Sequence, residues 1–131
     1  MIVYKVVRET EDMLHSLTLL KGVAGCVIYG LLPFKVEEAP KAVPAHQCGP
    51  LAAFESLNCA EQFIDGYVDY PGGPIHIFSA EAELWEAPRT RGMLGSMGSL
   101  WRMAMGNVLD CRSYLPYGTV LCSSIKLLEG A

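Results

Sequence analysis

Two glutamates two residues apart, Glu81 and Glu83, are the first residues in this sequence whose types and spacing suit catalysis. In an extended strand they point to the same face, about 6–7 Å apart. Carboxylates at that separation are compatible with general acid–base chemistry. Alternating glutamates are also the ordinary pattern on the open face of a half-buried strand, and we favour that structural role.

A cysteine and a histidine form the second candidate. Cys59 lies in the first turn of a predicted helix, where the helix dipole favours a thiolate, and His76 follows on the next strand. A nucleophilic cysteine needs a histidine base close in space and a lowered pKa. We favour the inert alternative, with Cys59 packed between helix and sheet and His76 making one structural hydrogen bond.

Soft metal ligands are sparse in the chain. His46 and Cys48, with Cys59 or Cys111, are the residues that suggest zinc. Structural zinc needs four ligands in two close pairs, and only one close pair is present. We therefore predict no metal site.

The helix that carries Cys59 belongs to the clearest local pattern, which spans residues 49–85. A short apolar run at 51–54 suits a buried strand. Ser56 and Asn58 both carry side-chain oxygens that can cap a helix, and Asn58 with Glu61 nearly forms a reciprocal capping box. The helix has about ten residues, and we expect Gly66 to end it in a left-handed conformation.

Alternating apolar residues predict the other strands. Residues 75–85 alternate with period two, with Ala80, Ala82 and Leu84 facing the core, and the apolar first half predicts a central strand. Further strands are predicted at 2–8, 23–29 and 119–128, the last with an irregularity at 123–124. Residues 16–20 form either another strand, which we favour, or one helical turn, and a second helix is predicted at 99–109. These elements predict one α+β domain, residues 1–131, with a mostly antiparallel sheet of five or six strands and two short helices.

The composition predicts a partner-facing apolar surface. Apolar types make up 51% of the chain and charged types 18%, against roughly a quarter charged in an average soluble domain. Some apolar surface is therefore expected in a subunit contact or ligand groove. The methionine-rich segment 93–110 is one candidate for a homo-oligomer interface, although a core helix is the alternative. Its proposed contact residues are Met97, Leu100, Trp101 and Met105.

The net charge and the cysteine content limit which partners and which cellular compartment are expected. The formal net charge is −4 and no basic run exceeds two residues, so we expect neither nucleic acid nor anionic membrane as a partner. The uncharged run 22–34 is shorter than the ~20 residues of a membrane span. Five cysteines without paired spacing favour a reducing cytoplasm.

Three stretches together resemble the organisation of small ADP-ribosyltransferase-like domains: YKVV at 4–7, GPLAAFESLNCAEQFID at 49–65 and PIHIFSAEAELW at 74–85. In that family a first strand carries a basic residue, a serine precedes a helix and a later strand or loop carries a catalytic glutamate. The resemblance implies Lys5, Ser56 and either Glu83 or Glu81 as site residues, with NAD as the cofactor.

Three functions follow as hypotheses. The first is a non-catalytic α+β domain that self-associates as a homodimer and needs no cofactor. The second is an active or degenerate NAD-dependent ADP-ribosyltransferase-like enzyme, with Lys5, Glu81 and Glu83 as catalytic residues. The third is a protein that binds a small apolar ligand in a pocket under the 86–100 loop. Ligand contacts under the last two are assigned to Ser56, Cys59 and His76.

Overall fold

The computed structural model describes residues 1–16, 26–44, 50–66, 74–85 and 117–131. In chain order its elements are β1 (Ile2–Thr10), β2 (Met13–Ser16), β3 (Ile28–Leu31), a 3₁₀ turn (Val36–Glu38), β4 (Leu51–Phe54), α1 (Leu57–Asp65), β5 (Ile75–Leu84) and β6 (Thr119–Gly130). Within these residues the strands form one antiparallel six-stranded sheet, which confirms the predicted α+β class. One predicted helix is α1, and the other, 99–109, lies outside the described residues.

The sheet closes on itself, which was not predicted. Its order is β3-β2-β1-β4-β6-β5, and β5 also pairs with β1, so β1, β4, β6 and β5 form a closed four-stranded barrel. Residues 2–8 of β1 pair with residues 75–81 of β5. The other edge of β1 is shared between β4 and β2. Because β1 belongs to both the barrel and the β1–β2 hairpin, it joins the two parts of the sheet.

Side chains from all four strands fill the barrel interior. As predicted, β5 is central, with Ala80 and Ala82 buried. Leu84 was also expected in the core but is 52% exposed, because it ends the strand after a register shift. The predicted irregularity in β6 is confirmed there, since Ser124 pairs with Glu83 and the register then skips Ser123. The fully buried interior residues include Val3, Val7, Ala80, Cys122, Ile125 and Leu127.

Helix α1 covers the outside of the barrel. Ser56 is its N-cap, and the Oγ atom accepts a hydrogen bond from the Cys59 amide at 3.1 Å. Its buried residues Cys59 and Ala60 pack in one cluster with Val6 and Phe54. The expectation for Gly66 was wrong: its φ is −94°, because its amide donates to a carbonyl of the last turn and keeps right-handed geometry.

The start of β6 approaches α1 closely at one glycine. Gly118 has φ of +81°, and a Cβ atom there would lie 2.5 Å from the Cys59 Sγ atom. The Gly118 carbonyl accepts a hydrogen bond of 2.9 Å from the Glu55 amide, just before the helix. A glycine is therefore required for both the backbone conformation and the space.

Candidate functional site

Strand β3 lies at one end of the described sheet, and a serine fixes its position. The Ser16 amide donates to the Val27 carbonyl at 3.0 Å, and the Val27 amide donates to the Ser16 Oγ atom at 2.8 Å. After β3, the Leu32 amide donates to the Asp12 carbonyl at 2.8 Å. These bonds hold both ends of β3 against β2.

A groove of about 280 Å³ lies between β3 and the 3₁₀ turn. Phe34 anchors the connection, since its ring centre lies 4.9 Å from that of Phe78. A Cβ atom on Gly30 would lie 3.2 Å from the Phe34 ring, so the glycine allows this close packing. Apart from one lysine and one glutamate the lining is apolar, and it comprises Ile28, Gly30, Leu31, Phe34, Lys35, Glu38, Ala39 and Pro40.

Large apolar side chains are exposed at this groove. Leu31 is 63% exposed and Ile28 is 43% exposed, and Val36 of the adjoining 3₁₀ turn is 42% exposed. Strand β3 buries its two central residues and exposes both ends, because the pairing register shifts between Leu14 and His15 of β2. Exposed apolar side chains grouped around a groove are typical of an interaction surface.

Two opposite charges flank the groove. Lys35 precedes the 3₁₀ turn and Glu38 ends it, and both residues are exposed. Neither side chain forms an ion pair with any residue of the described ranges. Both charges are therefore available to a molecule that enters the groove.

The predicted catalytic lysine lies in the barrel interior. Lys5 is only 8% exposed, and its Nζ atom donates a hydrogen bond of 2.6 Å to the Ala52 carbonyl. The same atom lies 4.9 Å from the centre of the Tyr29 ring. Burial lowers the pKa of Lys5 to about 8 and raises that of the nearby Cys122 thiol to about 11. Lys5 thus forms part of an enclosed polar cluster in the core.

The predicted catalytic glutamates face solvent on the opposite side of the strands. Lys5 pairs with Phe78 of β5, whereas Glu81 is three residues further on and belongs to the other face. Glu81 lies 3.1 Å from the Met1 ammonium group. Glu83 pairs with Lys41, whose hydrogen bond and charge lower the pKa of that carboxyl group. The structure therefore does not bring Lys5 and the two glutamates together.

The predicted ligand contacts are also separated. Ser56 and Cys59 meet in the helix cap, where Cys59 is buried in the cluster under α1. His76 belongs to the face of β5 opposite Ile77, which packs in that cluster. The His76 Nε2 atom lies 2.9 Å from the Glu9 Oε1 atom. The four proposed interface residues of the 93–109 segment lie outside the described residues.

No family model, curated protein or solved structure matches the chain. Among the described residues, no helix has the length and apolar character needed to cross a membrane. Within the same residues, no group of three or more histidine, cysteine or acidic side chains is placed to hold a metal ion.

Sequence reasoning missed a buried polar group beside β3. His15 is buried, and its Nδ1 atom lies 3.0 Å from the Ser16 carbonyl oxygen and 3.8 Å from the Cys26 Sγ atom. Arg8, which pairs with His15 across the strands, is buried too. Burial raises the pKa of Cys26, which favours the thiol over the thiolate that a nucleophile needs. The sequence did not reveal this buried group, because a polar residue such as His15 in a short strand does not by itself indicate burial.

The groove residues were missed as well. The sequence showed a long uncharged run through Ile28 and Leu31, but such a run does not indicate which side chains are exposed. Pro33 and Pro40 offered the only local sign that the chain turns here. The chemistry that the site supports is apolar contact flanked by one positive and one negative charge.

Proposed function

We propose that this protein is a small non-catalytic domain that self-associates, with the groove beside β3 as the contact. The observation that carries the proposal is the exposure of Leu31 and Ile28 at an apolar groove. Full burial of one such side chain contributes about 2 kcal/mol. A two-fold contact would bury each of them twice, once in each copy, which supports a homodimer.

The size of the groove favours side chains as its occupant. Its volume of about 280 Å³ falls just below the roughly 300–1,000 Å³ of pockets for drug-sized ligands. A few apolar side chains of another copy fit this volume. A small apolar ligand is the second candidate, and the same lining residues favour it.

An NAD-dependent, ADP-ribosyltransferase-like activity has less support. Its proposed residues Lys5, Glu81 and Glu83 lie on opposite faces of the strands, and the lysine is enclosed. A clear rise in melting temperature with NAD, lost in Glu81→Gln or Glu83→Gln, would favour that enzyme over our proposal.

The segment 93–109 remains a second proposed contact, through Met97, Leu100, Trp101 and Met105. A stable interface buries about 800 Å² on each partner, more than a groove of this size offers alone. We also propose a reducing, cytoplasmic location, which is supported by the absence of a disulfide bond at the described cysteines Cys26, Cys59 and Cys122.

Light scattering of the purified chain tests the proposal. We expect the wild type to have a mass near twice 14.3 kDa and Leu31→Asp to shift toward the monomer, because a carboxylate in the groove has to be desolvated. Leu84→Asp is the matched control, since Leu84 also ends a strand and is 52% exposed outside the groove.

Two results would count against this function. A wild-type monomer at high protein concentration would refute self-association. An equal loss of dimer in Leu31→Asp and Leu84→Asp, with both variants folded by circular dichroism, would refute the groove as the contact.

A further inference from the structure

We infer that two copies dock around a two-fold axis so that Lys35 of each copy pairs with Glu38 of the other. The inference rests on the proposed self-association and adds its symmetry and its specificity. It is carried by the charge pattern around the groove, which is self-complementary.

The lining of the groove presents one positive and one negative side chain. Lys35 and Glu38 both line it, and the remaining lining residues are apolar. Neither charge is paired within the part of the chain that the structure describes. A contact that offers an acidic group to Lys35 and a basic group to Glu38 therefore matches both charges of the groove.

A second copy of this chain offers both groups at once. In a two-fold contact the same patch is used on both partners, so residue i meets residue j and residue j meets residue i. Lys35 and Glu38 then form two equivalent ion pairs, one on either side of the axis. An acidic or a basic partner would satisfy one charge and oppose the other, which disfavours either.

The apolar side chains fit the same arrangement. Leu31, at the end of β3, is 63% exposed and lines the groove together with Ile28, which is 43% exposed. In the two-fold contact each Leu31 side chain enters the groove of the other copy. The apolar contact supplies most of the affinity, and the charge pairs select the orientation.

Charge reversal tests the pairing. Lys35→Glu places two acidic groups opposite each other across the axis, and Glu38→Lys places two basic groups there. We expect each variant alone to dimerise about tenfold more weakly, because like charges face each other twice. An equimolar mixture, with an affinity tag on one variant, should restore a mixed dimer at close to wild-type affinity.

Glu37→Lys is the matched control. It makes the same change of charge on the same 3₁₀ turn, but Glu37 does not line the groove. We expect its dimer affinity to stay within about twofold of wild type. In about 1 M salt, where the screening length is roughly 3 Å, the defects of Lys35→Glu and Glu38→Lys should shrink.

The outcomes separate this inference from the proposed function. Wild-type dimers with unchanged affinity in both reversed variants would refute the Lys35–Glu38 pairing and leave self-association intact. Weakened variants that fail to form a mixed dimer would refute the reciprocal geometry. A wild-type chain that stays monomeric would refute both.

Discussion

The ammonium group of Lys5 lies 4.9 Å from the centre of the Tyr29 ring and 2.6 Å from the Ala52 carbonyl oxygen. A positive charge is thus held inside the barrel by one carbonyl dipole and the face of an aromatic ring. Such contacts recover part of the hydration that the charge loses on burial. The incomplete recovery accounts for the lowered pKa of Lys5.

The first prediction concerns pH. The pKa of Lys5 is about 8 in the folded chain, against 10.5 for an unperturbed lysine, the value we take for the unfolded chain. Between these two pH values the unfolded chain therefore holds more protons. The contribution of Lys5 to the free energy of unfolding therefore rises with pH, by about 1 kcal/mol between pH 8 and 9. Urea unfolding should show this rise in the wild type, and Lys5→Met should lack it.

Cys122 provides the control for that window. Its pKa is raised from 9.0 to about 11, so from about pH 8 upward the unfolded chain loses this proton first and the contribution of Cys122 to stability falls. In the wild type this fall opposes the effect of Lys5, whereas in Cys122→Ala the rise should continue toward pH 10. An equal slope in wild type and Lys5→Met between pH 8 and 9 would contradict the assignment.

The second prediction concerns the glycine beside the helix. Gly118→Ala should lower the free energy of unfolding by about 2 kcal/mol or more, since φ is +81° and the new methyl group meets Cys59. Gly130→Ala is the matched control, because no atom lies within 4 Å of a Cβ there. Thermal and urea unfolding measure both variants.

A double variant isolates the contribution of the Cys59 Sγ atom at Gly118. Cys59→Ala removes that atom and should relieve part of the damage, while the 2.8 Å approach to the Cys59 Cβ atom and the strain of the positive φ remain. Full recovery would show that the backbone conformation costs nothing. If the single variant Gly118→Ala lost no more stability than Gly130→Ala, the close approach between Gly118 and Cys59 would be refuted.

The third prediction concerns the helix cap. Ser56→Ala should lower the free energy of unfolding by about 1 kcal/mol, because the Cys59 amide loses its acceptor. Asn58→Ala should change it little, since Asn58 is exposed inside the first turn. Equal effects of the two substitutions in urea unfolding would refute the assignment of Ser56 as the cap.

The sequence predicted α1 and β5 well because their signals are local. A capping serine, an apolar stripe and alternating residues lie within a few positions of each other, from Ser56 to Leu84. Even there, the choice between Ser56 and Asn58 as the cap depended on the path of the chain before the helix.

Local sequence patterns could not predict that the barrel closes. It depends on pairing between residues 2–8 and 75–81, which are more than sixty positions apart. Both faces of the first strand are largely apolar, so its alternation did not show which face is enclosed. Only the pairing with β5 places Lys5 inside with Val3 and Val7.

The groove was unpredicted for a similar reason. Under simple alternation, Ile28 and Gly30 would share one face of β3 and Tyr29 and Leu31 the other, so the two ends of the strand would not both be exposed. The register shift opposite Leu14 and His15 exposes both Ile28 and Leu31. No residue type in the sequence marks that shift.

The return of β5 onto β1 has a consequence for how the proposed assembly could grow. A sheet with two free ends can add copies at both and lengthen into a filament. Among the described strands, β5 pairs back onto β1, and only β3 lies at an end of the sheet that no other strand covers. A contact that joined two such ends would occupy both, so the proposed assembly would stop at a pair.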